Sequence, residues 1–154
     1  MALYYLDASA LVKRYIAETG TAFVTRITNP GVSGKPWMAT IVSVEVMAAL
    51  YRRVNTGSLT IASARQAEQV FRNELYHIFD PIDLTPSSLA GAMGLAKLHI
   101  LRAYDAVQLA SAVHLQVTRR SLNLSLPILV SADHALNQAA LAEGLLVDDP
   151  NRYP

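Results

Sequence analysis

The run Leu3-Tyr4-Tyr5-Leu6 is apolar without interruption and stops on a carboxylate, Asp7. A run with no alternating polar residue fits a strand covered on both faces, the setting of a parallel sheet between helices. Directly after it, Ser9 is expected to cap a helix carrying Leu11, Val12, Tyr15 and Ile16 at helical spacing. Asp7 therefore falls at the carboxyl end of a buried strand and beside a helix N-terminus, where open α/β sheets place their sites.

The rest of the chain repeats this alternation. A short helix is expected over 21–28, closed by Asn29-Pro30-Gly31, then a loop over 31–36 and a strand at Trp37-Met38-Ala39. Ser43 is read as the cap of a helix to about residue 55 whose apolar positions cover more than one face, implying a mostly buried helix. A helix spans about 60–76, and 78–84 is a weak strand that Pro81 confines to the region of an edge. Thr85-Pro86 starts a helix to about residue 99, and a helix apolar nearly all round follows over 101–117, with Arg119-Arg120 at its end. Pro127-Ile128-Leu129-Val130 is a second buried strand, followed by Ser131-Ala132-Asp133, a helix to about residue 143 and a last strand at Leu145-Leu146-Val147. Strands and helices in this order, joined by right-handed crossovers, predict an α/β fold with a mainly parallel central sheet between helical layers.

A chain of 154 residues, 52% hydrophobic, has the material for one domain over 1–154. Its net charge of +1 is too balanced for nucleic-acid binding by bulk charge and leaves that to local patches. The lack of cysteine removes disulfides and thiolate metal sites, which suits a cytoplasmic location and restricts any metal to oxygen or imidazole ligands. The start of the chain has neither a basic leader nor a small-residue cleavage site, so no export signal is expected. The uncharged stretch 106–118 is shorter than the roughly 20 residues of a membrane span, so no membrane association is expected.

Two strands far apart in the chain thus end near Asp7 and Asp133. In one parallel sheet both leave the same edge. Glu45 and Asp105 lie in or just before the first turns of two apolar helices, where negative charge is favoured, and helices that follow strands begin at that edge. Taken singly, each acid has a structural explanation as a cap or a dipole partner. Taken together, two unit charges 4 Å apart repel by roughly 4 kcal/mol at an effective dielectric near 20, so either some carry protons or a cation is bound. An all-oxygen set without cysteine or paired histidines favours Mg²⁺ or Mn²⁺, and such ions serve phosphodiester hydrolysis. Ser9 and Ser131 are turn or cap residues able to hold a neighbouring carboxylate. Lys13-Arg14, Arg52-Arg53, Arg119-Arg120 and Arg102 offer positive charge for an RNA path. His77, His99, His114 and His134 lack metal-ligand spacing.

Four motifs then carry a resemblance: Tyr-Tyr-Leu-Asp-Ala-Ser-Ala-Leu-Val-Lys at 4–13, Ser-Val-Glu-Val at 43–46, Leu-Arg-Ala-Tyr-Asp-Ala-Val-Gln-Leu-Ala at 101–110 and Leu-Val-Ser-Ala-Asp-His-Ala-Leu at 129–136. Over nearly its whole length the chain resembles the PIN domain nucleases, and among them the VapC toxins of toxin–antitoxin pairs. The resemblance implies a PIN-like three-layer α/β/α sandwich and Mg²⁺- or Mn²⁺-dependent RNA cleavage by a metal-activated water. Asp7, Glu45, Asp105 and Asp133 match the acidic catalytic and metal-binding positions, and Ser9 matches a small hydroxyl residue. Ser131 stands where the family more often has threonine, and His134 where a second acid is common. A homodimer and a VapB-type antitoxin that inserts a segment across the site are also implied. Two readings compete with the nuclease: a PIN module that binds antitoxin or operator with weak or no activity, and an aspartyl-phosphate phosphotransfer domain with Asp7 as acceptor. The second requires a lysine near a late strand, and none follows Lys97.

Overall fold

The computed structural model describes residues 2–31 and 34–154. Five strands, β1 (Leu3–Leu6), β2 (Trp37–Ala39), β3 (Asp80–Ile82), β4 (Pro127–Val130) and β5 (Leu146–Asp148), form one sheet in the order β3-β2-β1-β4-β5. Every neighbouring pair is parallel. The strand containing Pro81 is an edge strand, bonded only to β2, as a residue without an N–H requires.

The helices are α1 (Ala8–Leu11), continued by a 3₁₀ turn (Val12–Arg14), α2 (Thr21–Thr28), α3 (Val42–Asn55), α4 (Ile61–Glu74), α5 (Pro86–His99), α6 (Ala103–Ser121) and α7 (His134–Ala142). Successive strand residues point to opposite faces, and the core divides accordingly. Leu6, Met38 and Val130 are covered by Leu11, Val24, Val46, Leu50 and Phe71 from α1 to α4. Tyr5, Ala39 and Leu129 lie under Leu109, Ala112 and Leu115 of α6 and Leu136, Ala139 and Ala140 of α7. α5 packs outside α6 through Ala92, Ala106 and Ala110, whose small side chains let the two helices approach. α6 is thus enclosed between the sheet and α5, which explains its nearly all-apolar circumference. The arrangement is a three-layer α/β/α sandwich. Among the described residues no helix is long and apolar enough to cross a membrane.

Three local expectations are corrected. Asp7, not Ser9, caps the first helix, its carboxylate accepting from the Ala10 N–H at 3.1 Å. The strand runs straight into the helix, so the last extended residue is already the cap, and Ser9 is free for another task. α3 begins at Val42 behind Ile41 with no side-chain cap, because a tight turn carries the chain out of β2; Ser43 Oγ donates to the Thr40 carbonyl at 2.8 Å within that turn. α3 buries only the stripe Val42, Val46 and Leu50, leaving Val44 54% exposed, since its other side borders an open cavity. The loop expected over 31–36 includes Val32 and Ser33, which lie outside the described residues.

The C-terminal segment returns to the start of the chain. Buried Lys13 donates to the Thr19 carbonyl (2.9 Å) and the Asn151 side chain (3.0 Å), and pairs with Glu18 at 3.2 Å. Tyr153 stacks on Phe23 with ring centroids 4.2 Å apart. Gly20 makes this closure possible: its φ is +91°, and a Cβ there would lie 2.5 Å from the Pro150 carbonyl oxygen. Gly20→Ala is expected to cost about 2 kcal/mol, lowering the melting temperature by about 4–8 °C in a thermal scan. An unchanged melt would show that the segment closes without it.

Candidate active site

β1 and β4 run side by side with Leu6 opposite Val130, and the Asp7 N–H donates to the Val130 carbonyl at 3.2 Å. Both segments therefore leave the sheet together. Ser9 ties them: its Oγ donates to Asp7 Oδ1 at 2.8 Å and accepts from the Ala132 N–H at 2.8 Å. Ser131 is wholly buried; its Oγ accepts from the Asp133 N–H at 3.0 Å, and its carbonyl accepts from Asn137 Nδ2 at 2.8 Å. Asp133 caps α7 by accepting from the Leu136 N–H at 2.9 Å. The aspartates at the two strand ends are thus each held by a helix N-terminus, with the serines locking the backbone between them.

Glu45 arrives from the first turn of α3 and Asp105 from the first turn of α6. One cavity of about 460 Å³ is bordered by Asp7, Glu45, Asp105 and Asp133 together with Ser9, Lys13, Arg52, Arg53 and Arg102. Within it the acids do not converge on a point. Among the described residues no three His, Asp or Glu side chains stand close enough to hold one metal ion between them. Each acid is instead bonded to a neighbouring group, and two of them share one. Arg102 Nε donates to Asp105 Oδ2 and its Nη2 to Asp133 Oδ2, both at 3.1 Å. Gln108 Nε2 donates to Glu45 Oε2, while the Gln108 amide oxygen accepts from the Tyr5 hydroxyl at 2.7 Å.

Burial pushes the Asp7 carboxyl up to about 7 against the opposing hydrogen bonds from Ser9 and Ala10, and the Glu45 charge adds to the rise. Desolvation also raises Glu45, with Gln108 opposing and Asp105 reinforcing. Asp105 is raised by desolvation first and by Asp133 second, with Arg102 opposing. The cavity therefore offsets its own negative charge, through burial that favours the protonated form of Asp7 and through a guanidinium between Asp105 and Asp133. In chemistry, though not in spacing, the donors suit a hard divalent ion: all are carboxylate oxygens facing one cavity, and Asp105 and Asp133 already share the Arg102 guanidinium.

The basic residues divide. Arg14 is forked onto Glu74 (2.8 and 2.9 Å) and bonded to Thr28, and it does not border the cavity. Lys13 borders it but is buried, with its ammonium committed to Glu18, Thr19 and Asn151. Neither stands as a free cation for RNA, because internal oxygens already satisfy both. Arg52, Arg53 and Arg102 remain around the cavity. Arg53 pairs with Glu18 at 2.7 Å, and the Arg52 side chain has no hydrogen bond or ion pair among the described residues.

Sequence reasoning missed Tyr5, Gln108 and Glu18. Gln108 carried a signal: it lies three residues after Asp105, hence on the same helix face, and is a polar side chain in an otherwise apolar stretch. The Tyr5 hydroxyl, inside an apolar strand, needed a buried partner, and Gln108 is that partner.

No family model matches the chain. Ribonucleases VapC45 and VapC49, both of Mycobacterium tuberculosis, are each 33% identical to it over 116 residues, 73% of this chain and 76% of theirs. Solved structures share the fold at lower identity. The protein PAE2754 of Pyrobaculum aerophilum superposes with a TM-score of 0.62 at 20% identity, covering 98% of this chain and 91% of that one. A toxin–antitoxin complex from Klebsiella pneumoniae gives 0.60 at 16% identity, over 96% and 97%. FitAcB of Neisseria gonorrhoeae gives 0.58 at 14%, over 97% and 98%.

The raised pKa of Asp7 has a thermodynamic consequence of definite sign. Its folded value, about 7, lies above the unfolded value near 4, so the folded state binds the proton more tightly. The stability this supplies is complete below about pH 4 and is lost as pH rises through about 7. Urea unfolding in the presence of a chelator is expected to show stability falling by on the order of 3 kcal/mol between pH 4 and pH 8, with Asp7→Asn removing most of that slope. A slope that survives the substitution would assign the proton to another group.

Proposed function

The chain belongs to the VapC family of ribonucleases, and from that premise we propose that it is an endoribonuclease, the toxin of a VapBC-type toxin–antitoxin pair. In this reading Asp7, Glu45, Asp105 and Asp133 hold Mg²⁺ or Mn²⁺ and the enzyme hydrolyses RNA phosphodiester bonds. The observation that supports it most is the meeting of four acids, from four separate segments, on one cavity that arginines also border. A bound divalent ion supplies positive charge to the phosphate and lowers the pKa of a water.

The remaining work falls to the chain. Arg52 and Arg102, exposed beside the cavity, draw the RNA backbone by charge, without reading its sequence. Asp7 and Asp133, each fixed by a helix cap, present carboxylates whose positions are set before substrate arrives. Gln108, itself oriented by Tyr5, keeps Glu45 turned into the cavity. Asp7 titrates near neutrality, so it gives up its proton in the working range when it becomes a charged ligand.

A VapB-type antitoxin would act by laying a segment over the same cavity, and the likeness in fold to a toxin–antitoxin complex supports that partner. Side chains on α5 left uncovered, Met93 at 74% and Leu98 at 68% exposure, suit a homodimer. The absence of cysteine suits a reducing cytoplasm.

Cleavage of total RNA with Mn²⁺ tests the reading. Asp7→Asn and Asp105→Asn are each expected to lose about 100-fold or more in rate with an unchanged far-ultraviolet circular dichroism spectrum, and chelation is expected to abolish wild-type cleavage. Equal rates for wild type and Asp7→Asn, or no wild-type cleavage across a broad panel of RNAs and divalent ions, would overturn it.

A further inference from the structure

Three of the basic side chains that the sequence offered for an RNA path are held in different ways. Lys13 is buried with three partners, and Arg14 is forked onto Glu74 with a side chain only 11% exposed. Arg102 is the opposite case: its side chain is 80% exposed, yet it bridges Asp105 and Asp133, which come from different segments of the chain. It projects from the residue just before α6, which has extended backbone and makes no side-chain cap. Exposed ion pairs are weak, because solvent screens them and a long side chain must be held in one geometry. The bridge is therefore exchangeable, where those of Lys13 and Arg14 are not.

The position of the bridge matters more than its strength. The guanidinium uses Oδ2 of both aspartates, and among the described residues no three acids converge on an ion while it is there. No other cation of the described residues touches either carboxylate. We propose that Arg102 is a built-in counter-ion that competes with the divalent ion for Asp105 and Asp133, and that it releases both when the cavity loads. The proposal rests on the reading of the four acids as the metal-holding set. Released, Arg102 stays tethered beside the cavity with its donors free for phosphate. RNA and the ion then favour one another: an RNA phosphate that takes the guanidinium frees the two aspartates, and by linkage the ion raises affinity for RNA by the same factor.

Mn²⁺ titration by calorimetry, without RNA, tests this on wild type, Arg102→Ala and Arg102→Gln, the latter keeping part of the apolar stem. Both variants are expected to bind Mn²⁺ about threefold more tightly or better. In ¹⁵N-labelled wild type, the Arg102 Nε–H signal, identified by its absence from Arg102→Gln, is expected to move to the position of free arginine on saturation with Mg²⁺. Equal or weaker Mn²⁺ binding by both variants, or an Nε–H signal that Mg²⁺ leaves in place, would overturn the proposal while leaving the metal reading intact. Absence of Mn²⁺ uptake by all three proteins would sink the metal reading itself, and this proposal with it.

Discussion

Like charges gathered at one end of a sheet push the ends of its strands apart, and the fold must hold them against that force. The parallel pairing of β1 with β4 does so. It places Asp7 and the turn leading to Asp133 side by side, with a hydrogen bond from Asp7 N–H to Val130 and the Ser9 hydroxyl stitching across to Ala132. Neither strand can shift without breaking a ladder whose side chains, Leu6, Leu129 and Val130, are wholly buried in the two halves of the core. The central sheet thus acts as the clamp that keeps unfavourable charge together. The cost of that charge is lowered locally, by the raised pKa of Asp7, an amide on Glu45 and a guanidinium between Asp105 and Asp133.

How much of this was legible depended on how local the signal was. Unbroken apolar runs at Leu3–Leu6 and Pro127–Val130, each leading to an aspartate, carried the parallel sheet and the shared edge, because a strand buried on both faces leaves no other pattern. Pro81 marked an edge strand for the reason that proline always does. The caps were read one step wrong at Ser9 and Ser43, since a hydroxyl near a helix start looks the same in sequence whether it bonds its own helix or a neighbouring segment. Ser9 in fact reaches the Ala132 N–H, 123 residues away, a partner no local pattern encodes. The all-round apolarity of α6 was visible, but its cause, α5 lying outside it on small residues, is a tertiary fact.

Basic residues were the least legible. Lys13 and Arg14 sit next to the motif that carries Asp7 and looked available for RNA, yet one staples the C-terminal segment and the other pins α4 to the first turn. Charge in a sequence says nothing about whether a carboxylate elsewhere has already claimed it. Arg102 shows the converse, since adjacency to Asp105 pointed toward the site without revealing that the side chain lies between two of its acids.

The four acids differ in their freedom to move. Asp7 and Asp133 each give one oxygen to a helix N-terminus, so turning either away breaks a cap of about 1 kcal/mol. Glu45 is held by one bond to Gln108, which is itself buried and bonded to Tyr5. Among the described residues the Asp105 carboxylate accepts a hydrogen bond from Arg102 alone. Three carboxylates are thus anchored from within the fold, and the fourth is held, among the described residues, by an exposed side chain alone. Any convergence of the acids on a common ligand therefore requires Arg102 to leave Asp105 and Asp133, the two carboxylates it bridges.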